Sequence, residues 1–300
     1  MSKGVRFTLP ICIPSLLCLC TVRRLDIAEK VLYNISWACV AVVFFYFFQY
    51  FRGVFYIESY DMSFSYACLL PMIILYARKK LYTVPLSFIL FVGVLAIGSR
   101  GAALYFIVFV LFDMIQNKSK WRWVILMLGI LFVVLLPSLA DYLDALGIHS
   151  RTLSMIDSGD IGSDSGRGSI AGTCWNVLLS KSPILGLGIF GDYVIIGAYC
   201  HNIFLEFLMD FGLVAGVILI LFLITRLFRV YFHADREYRN KILQYFCAFI
   251  LPFMTSGSYL INSDFWIFLG LCILIERRNI RLSRKGKFAM RATPSIAVVR

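Results

Sequence analysis

The sequence is poor in charge: Asp, Glu, Lys and Arg make up 15% of its residues, whereas 60% are hydrophobic. Soluble domains carry about 25% charged residues, so the composition excludes an ordinary soluble protein. The chain instead has apolar stretches near the ~20 residues that a helix needs to cross a bilayer. We therefore predict an all-α, polytopic protein forming a single membrane domain over residues 1–300. Its eight predicted spans, with a doubtful ninth at 7–22, are 31–51, 62–77, 81–98, 101–116, 121–140, 203–224, 242–260 and 265–275.

Motifs for metals and cofactors are also scarce. No CxxC or Cys/His pair has metal-ligand spacing and no P-loop occurs, so we predict neither a metal nor a cofactor. Seven of the nine cysteines lie in apolar segments, where cysteine acts as a small hydrophobe. Cys174 and Cys200 share one loop and could form a disulfide in an oxidising compartment. The sequence alone does not establish that pairing. The glycines of 186–191 spell GxGxxG but follow no predicted strand, which favours a tight turn over a dinucleotide site.

Positive charge is distributed unevenly between the loops. One alternating set holds 22 of the 29 Lys and Arg residues and comprises 23–30, 78–80, 117–122, 225–241 and the tail 277–300. The other set holds Arg52, Arg100, Arg151, Arg167 and Lys181. The positive-inside rule makes the first set cytoplasmic, including the basic tail. Facing anionic membrane lipid, these loops explain the net charge of +12, and we predict no nucleic-acid partner.

The longest predicted loop, 141–200, lies on the outer side and is long enough to be functional. Its first part, Asp141 to Gly166, is rich in Ser, Gly and Asp, which is typical of irregular structure. From Arg167 apolar residues recur at helical spacing, which predicts a short amphipathic helix at the interface that ends at Ser182-Pro183. Asn202 is then the predicted N-cap of the next membrane helix.

Two arginines on the outer side are candidate anion ligands. Arg100 is bracketed by Gly98 and Gly101, which would let a phosphate approach its planar guanidinium; the alternative is an arginine that snorkels from a helix end. Arg167 opens the predicted amphipathic helix, where free backbone N–H groups favour an anion. Its alternative is an ion pair with Asp160 or Asp164 within the loop.

His201 precedes a helix that carries two acids, Glu206 and Asp210, on one face. Charged groups at such depth face a bundle interior or a watery cavity. A histidine at the membrane surface accepts a proton near neutral pH and would act as a general base, oriented or polarised by Glu206. The competing interpretation is a structural histidine at a helix start.

Together these residues resemble the core of the O-antigen ligase and polymerase superfamily of bacterial polytopic proteins. The resemblance covers roughly residues 85–225. It rests on Arg100 to Leu104, matching the family's Arg-x-x-x-Leu, and on His201-Asn202 followed by Gly212. Gly186-Leu187-Gly188 and Leu205-Glu206 also fit, while Ala215 stands where the family often has Gly or Thr.

The resemblance implies a metal-independent glycosyltransferase of the bacterial inner membrane, with its site on the extracytoplasmic face. The donor would be a glycan on undecaprenyl diphosphate, with Arg100 and Arg167 binding the diphosphate and His201 and Glu206 acting on an acceptor glycan. Asn202, Asp210, Gly188 and Gly212 would support the site. A flippase and a chain-length regulator are the expected protein partners.

Four functions remain open on the sequence, and one of them is a membrane-embedded structural or sensor protein. The first is polymerisation of repeat units for O-antigen, capsule or exopolysaccharide, and the second is ligation of finished glycan to a lipid or protein acceptor. The third, of a different class, is a transporter or flippase. A flippase would have paired broken helices. Gly212 and Gly216 permit such a break or close packing, but no partner segment is evident.

Overall fold

The chain folds into helices joined by short turns. The computed structural model describes residues 3–22, 25–52, 62–97, 100–117 and 166–292, with isolated positions between 123 and 145. Within these ranges every regular element is helical, which confirms the all-α prediction. The helices are α1 (Lys3–Thr21), α2 (Leu25–Phe51), α3 (Met62–Ala77), α4 (Thr83–Ile97), α5 (Arg100–Gln116), α6 (Arg167–Lys181), α7 (Gly191–Ile196), α8 (Ile203–His233), α9 (Arg236–Tyr245) and α10 (Ser263–Ala292).

Most predicted spans coincide with helices. Among the described residues, the helices long and apolar enough to cross a membrane are Leu25–Gln49 and Ile203–His233. α3 and α4 are apolar but shorter, and α1 is helical across Pro10 and Pro14. The predicted span 121–140 is described only at isolated positions, and residues 146–165 lie outside the described part of the chain.

The predicted span 242–260 differs from the structure. α9 passes into a π-helical turn, Phe246–Ile250, and a 3-10 turn, Leu251–Met254, after which the chain is non-helical as far as Asn262. Proline lacks a backbone N–H, so Pro252 weakens the continuing helix. Gly257 then adopts a positive φ of 83°. We call residues 255–262 the serine loop; it brings hydroxyl groups to the interior.

The apolar side chains pack in two main clusters. The first joins α2, α3, α4 and α5, where Tyr76 packs edge-on against Phe106 and Phe109 with ring centroids 5.9 Å apart. The second joins α8, α9 and α10 around Phe253 and Phe265. A smaller cluster holds α6 against α8 through Cys174, Leu178, Cys200 and Met209. The helix predicted after Arg167 is therefore confirmed, with Cys174 and Leu178 buried against the bundle, and its location at the membrane interface stays a prediction.

α8 is broken at Gly212, where the backbone has φ 78° and ψ 174°. Residues 182–190, which we call the glycine loop, dock on this break. The amide of Leu187 donates to the carbonyl of Met209 at 2.6 Å, and the amide of Leu213 donates to the carbonyl of Pro183 at 2.8 Å. The helix thus loses its own hydrogen bonds at Gly212 and regains them from the loop, which fixes α6 and α7 relative to α8.

Candidate functional site

The site is built around the start of α8. The side chain of Asn202 accepts hydrogen bonds from the amides of Phe204 and Leu205 at 3.0 and 3.1 Å. This confirms the predicted N-cap, which satisfies backbone donors that a helix start leaves unpaired. The side-chain Nδ2 of Asn202 also donates a hydrogen bond to the carbonyl of Met254 at 3.5 Å. The beginning of α8 is therefore tied to the residues that precede the serine loop.

His201 has an unusual backbone conformation. Its φ of 54° lies in the left-handed region, which costs a non-glycine residue about 1 kcal/mol or more. The imidazole packs against the Tyr199 ring, with centroids 4.4 Å apart, and its buried Nδ1 has no hydrogen-bond partner among the described residues. Burial, and secondly the charge of Arg167, lower the pKa of His201 below its ordinary value. A neutral imidazole able to accept a proton is thereby favoured.

Arg167 lies at the first position of α6, directly after Gly166, whose φ is 79°. Its Nη2 contacts the Sδ of Met62 at 3.6 Å, and its charge acts on both His201 and the Tyr105 phenol. The structure therefore brings together two of the predicted site residues, Arg167 and His201. The alternative partners Asp160 and Asp164 lie outside the described residues.

The serine loop supplies polar groups to this region that the sequence analysis missed. The Ser256 hydroxyl lies 3.6 Å from the same Met62 sulfur, and Thr255 shares a short hydrogen bond with Tyr105 of α5. Thr255, Ser256 and Tyr105 are therefore hydroxyl-bearing neighbours of Arg167. The sequence signal was Thr255-Ser256-Gly257-Ser258 after Pro252, a turn-forming run inside an otherwise apolar stretch.

Arg100 is the first residue of α5 and is half-buried. Tyr105 follows five residues later, which corresponds to about 7.5 Å of helix rise. Arg100 is therefore separated by that rise from Tyr105, the α5 residue that contacts Thr255 of the serine loop. Gly98 lies outside the described residues, and the convergence of Arg100 with Arg167 and His201 stays a prediction.

Glu206 and Asp210 are buried and bind the serine loop. The Ser258 hydroxyl donates a short hydrogen bond to Glu206, and the amide of Tyr259 donates to its other oxygen at 3.4 Å. The Tyr259 hydroxyl donates to Asp210 at 2.6 Å. The predicted pair of acids on one helix face is thus present, but the hydrogen bonds of Glu206 go to the serine loop. That Glu206 orients or polarises His201 stays a prediction.

Gly188 and Gly212 are predicted supporting residues, and both take part in the docking of the glycine loop on α8. The amide of Gly188 donates to the backbone carbonyl of Asp210 at 3.2 Å. The loop therefore adjoins the helix turn that carries the buried acids. The break permitted by Gly212 also fits the sequence.

Cys174 and Cys200 meet beneath the glycine loop as free thiols. The hydrogen bond between them, followed by burial, raises the pKa of the Cys200 thiol. The carboxylate of Asp192 accepts from the Cys200 amide at 3.2 Å and from its thiol at 3.4 Å. These contacts hold the segment before His201 in place. Among the described residues, no three His, Cys, Asp or Glu side chains cluster as metal ligands would.

Part of the chain is similar to a known protein family. The family model described as O-antigen ligase matches residues 85–220. This match supports a relationship of residues 85–220 to the O-antigen ligase/polymerase superfamily. No curated protein and no solved structure gives a significant match.

The O-antigen ligase match includes every predicted site residue, from Arg100 to Gly212. It supports a ligase- or polymerase-type function, and the family's membrane location agrees with the apolar helices of this chain. The serine loop lies beyond the matched O-antigen ligase region, yet it holds Glu206 and Asp210. The geometry of the matched residues therefore depends on a segment that the family model does not include.

Proposed function

We propose that this protein polymerises undecaprenyl-diphosphate-linked repeat units of a surface polysaccharide. The observation that carries the proposal is that the charge of Arg167 acts on the half-buried His201 within the matched O-antigen ligase region. A guanidinium suits a departing diphosphate, and a neutral imidazole suits a hydroxyl that must lose its proton. One site therefore offers the two functions that transfer from a lipid diphosphate requires.

In the proposed reaction, an acceptor sugar hydroxyl attacks the anomeric carbon of the donor glycan. A new C–O glycosidic bond forms as the bond from that carbon to the diphosphate oxygen breaks. His201 takes the hydroxyl proton, and undecaprenyl diphosphate leaves with the bonding electron pair. Arg167 and Arg100 stabilise the negative charge on the leaving group.

Glu206 and Asp210 have a positioning role in this proposal. They hold Ser258 and Tyr259, and through them the serine loop, whose Thr255 and Ser256 lie by Tyr105 and Met62. Hydroxyl groups there are suited to bind a glycan. Asn202 links the two parts by capping α8 and contacting Met254.

The membrane arrangement is part of the same proposal. Eight or nine spans, with basic connections in the cytoplasm, would put His201 and residues 141–200 on the extracytoplasmic face of the inner membrane. A flippase would deliver the donor to this face, and a chain-length regulator would act on the product.

The closest alternative is ligation, which has the same donor but transfers finished glycan to a lipid or protein. A strain lacking the protein distinguishes these functions by the intermediate that accumulates on the undecaprenyl carrier. Single repeat units on the outer face support the polymerase, and full-length glycan on the carrier supports the ligase. Single units on the cytoplasmic face support a flippase and contradict both transferases. A His201→Ala gene in the same strain should reproduce the deletion, with normal protein abundance in the membrane.

A further inference from the structure

The segment from Pro183 to Ile196, which we call the wedge, has an apolar outer surface. Leu185 is 81% exposed and Val194 is 71% exposed. Ile184, Ile189 and Tyr193 are also more than half exposed. A contiguous exposed apolar patch on a short segment is a mark of an interaction surface.

Polar groups of the wedge are turned inward. Its one charged residue, Asp192, is 1% exposed, and its carboxylate accepts from the amides of Tyr193 and Cys200. Backbone amides of the glycine loop donate to carbonyls of α8 at the Gly212 break. Irregular backbone survives at membrane depth only where protein groups satisfy it in this way.

The position of the break along α8 gives the depth of the wedge. The first basic residue of α8 is Arg226, which pairs with Glu276 of α10. Gly212 lies 14 residues above Arg226, which corresponds to about 21 Å of unbroken helix. In a hydrocarbon layer of ~30 Å above Arg226, Gly212 is therefore about 9 Å below the outer edge. The glycine loop that docks there lies at the same depth.

We propose that the wedge is embedded in the outer leaflet, with lipid acyl chains covering Ile184, Leu185, Ile189, Tyr193 and Val194. The start of the wedge docks beside Val214 of α8, because the amide of Leu213 donates to the carbonyl of Pro183, and Val214 and Ile218 of α8 are also exposed. The proposal rests on the membrane placement of α8 and goes beyond the glycosyl-transfer chemistry. An embedded wedge sets the depth of His201 and of α6, so that Arg167 lies at the level of lipid phosphates.

The surface of α6 agrees with this placement. Ser169, Thr173, Asn176 and Ser180 recur at helical spacing and form an exposed polar face. Trp175 and Leu179 are exposed on another side of the helix. A helix with one polar and one apolar exposed face lies in the interface, with the apolar face ~5–10 Å into the boundary between headgroups and acyl chains.

The test is quenching of an added tryptophan by brominated acyl chains in nanodiscs of phosphatidylcholine. Leu185→Trp and Val194→Trp each add one fluorophore to the wedge, and the wild-type signal in the same nanodiscs is subtracted. We expect about half of the added fluorescence to be quenched, as for a side chain inserted ~5–10 Å into the interface. Asn176→Trp is the matched control on the polar face of α6, and its added fluorescence should be nearly unquenched.

Ile218→Trp reports on α8 itself, because Ile218 is exposed in the middle of the span proposed for this helix. If Ile218→Trp is quenched but both wedge variants behave like Asn176→Trp, the wedge proposal is overturned and the membrane placement of α8 stands. If Ile218→Trp is also unquenched, α8 does not cross the bilayer. The wedge proposal and the membrane placement of α8 are then both wrong. Quenching concerns lipid contact alone, so its outcome is independent of glycosyl transfer.

Discussion

Gly186 and Gly212 lie in backbone contact, so that a methyl group on Gly186 would be 2.4 Å from the amide nitrogen of Gly212. Both residues have positive φ, at 74° and 78°. The contact joins the glycine loop to the break in α8 and therefore connects the segment before His201 to the helix after it. Glycine is needed at both positions, because the backbone conformation and the close approach each exclude a Cβ atom.

Gly212→Ala should destabilise the protein and abolish transfer. The added methyl would lie 2.0 Å from the carbonyl oxygen of Ile184, a backbone atom that moves only if the loop undocks. The strained positive φ adds more than about 1 kcal/mol to that cost. Thermal unfolding of the purified protein and its abundance in the membrane measure the effect.

The matched control is Gly172→Ala in α6, where a methyl would have no atom within 4 Å. Alanine is favoured over glycine in a helix by up to about 1 kcal/mol, so this variant should be as stable as the wild type or more so. Equal stability of Gly212→Ala and Gly172→Ala would contradict the docked loop.

Ser258→Ala should reproduce much of the loss caused by Glu206→Ala. Removing either partner leaves a buried polar group unsatisfied, which costs about 1–3 kcal/mol. If Glu206 positions the serine loop, the double variant should be little worse than the worse single one, because both changes remove the same interaction. Fully additive losses of transfer rate would instead assign Glu206 a chemical role independent of Ser258.

The acid limb of the pH–rate profile should lie below pH 6.5, because the folded protein lowers the pKa of His201 from that ordinary value. Arg167→Gln removes one of the two causes of the lowered His201 pKa. The acid limb of the kcat/KM profile that remains in this variant should therefore move to higher pH. Lys181→Gln makes the same charge change at the other end of α6 and should leave the limb in place. An unmoved limb in Arg167→Gln would show that the proton acceptor does not sense Arg167.

Lys241 should be a stabilising residue remote from the site. It is buried and bonds Glu29 of α2 at 2.7 Å and Glu237 of α9 at 2.8 Å. Burial disfavours its charge, but the hydrogen bonds to Glu237 and Glu29 outweigh burial and raise the pKa. Its contribution is therefore complete below its ordinary pKa of 10.5 and is lost only as pH rises through the higher folded-state value.

Lys241→Met should therefore cost about 2–3 kcal/mol at neutral pH, since it leaves the half-buried Glu29 without its partner. Glu237→Gln is the control: its side chain is 70% exposed, so the loss should stay below about 1 kcal/mol. Thermal unfolding in detergent measures both variants. Equal losses would show that the bridge to Glu29 contributes nothing of its own.

Local structure was predictable where one segment carries its own signal. The start of α6 at Arg167, its end before Pro183 and the Asn202 cap follow from side-chain periodicity, proline and capping chemistry, and the structure confirms them. The glycine turn was predictable as a turn only. The loop docks on α8 through backbone hydrogen bonds, which any residue type can form. The sequence therefore does not indicate this docking.

The partners of Glu206 were missed for a different reason. The apolar stretch 242–260 was interpreted as one continuous span, so Ser258 and Tyr259 were placed within a helix. Pro252 and Gly257 interrupt that stretch, and the serine loop returns to the buried acids of α8. Hydropathy averaged over a window hides a short loop of this kind, because most of its neighbours are apolar.

The most direct measurement is single-turnover transfer by purified protein from a synthetic lipid-linked repeat unit. We expect glycan extension by the wild type. Arg100→Ala, Arg167→Ala and His201→Ala should each lose the transfer rate by orders of magnitude, with normal abundance and unfolding temperature. Lys181→Ala, another basic residue of the predicted outer set, should retain full activity. Wild-type transfer by Arg100→Ala would contradict the diphosphate assignment, and wild-type transfer by His201→Ala would contradict the proton acceptor.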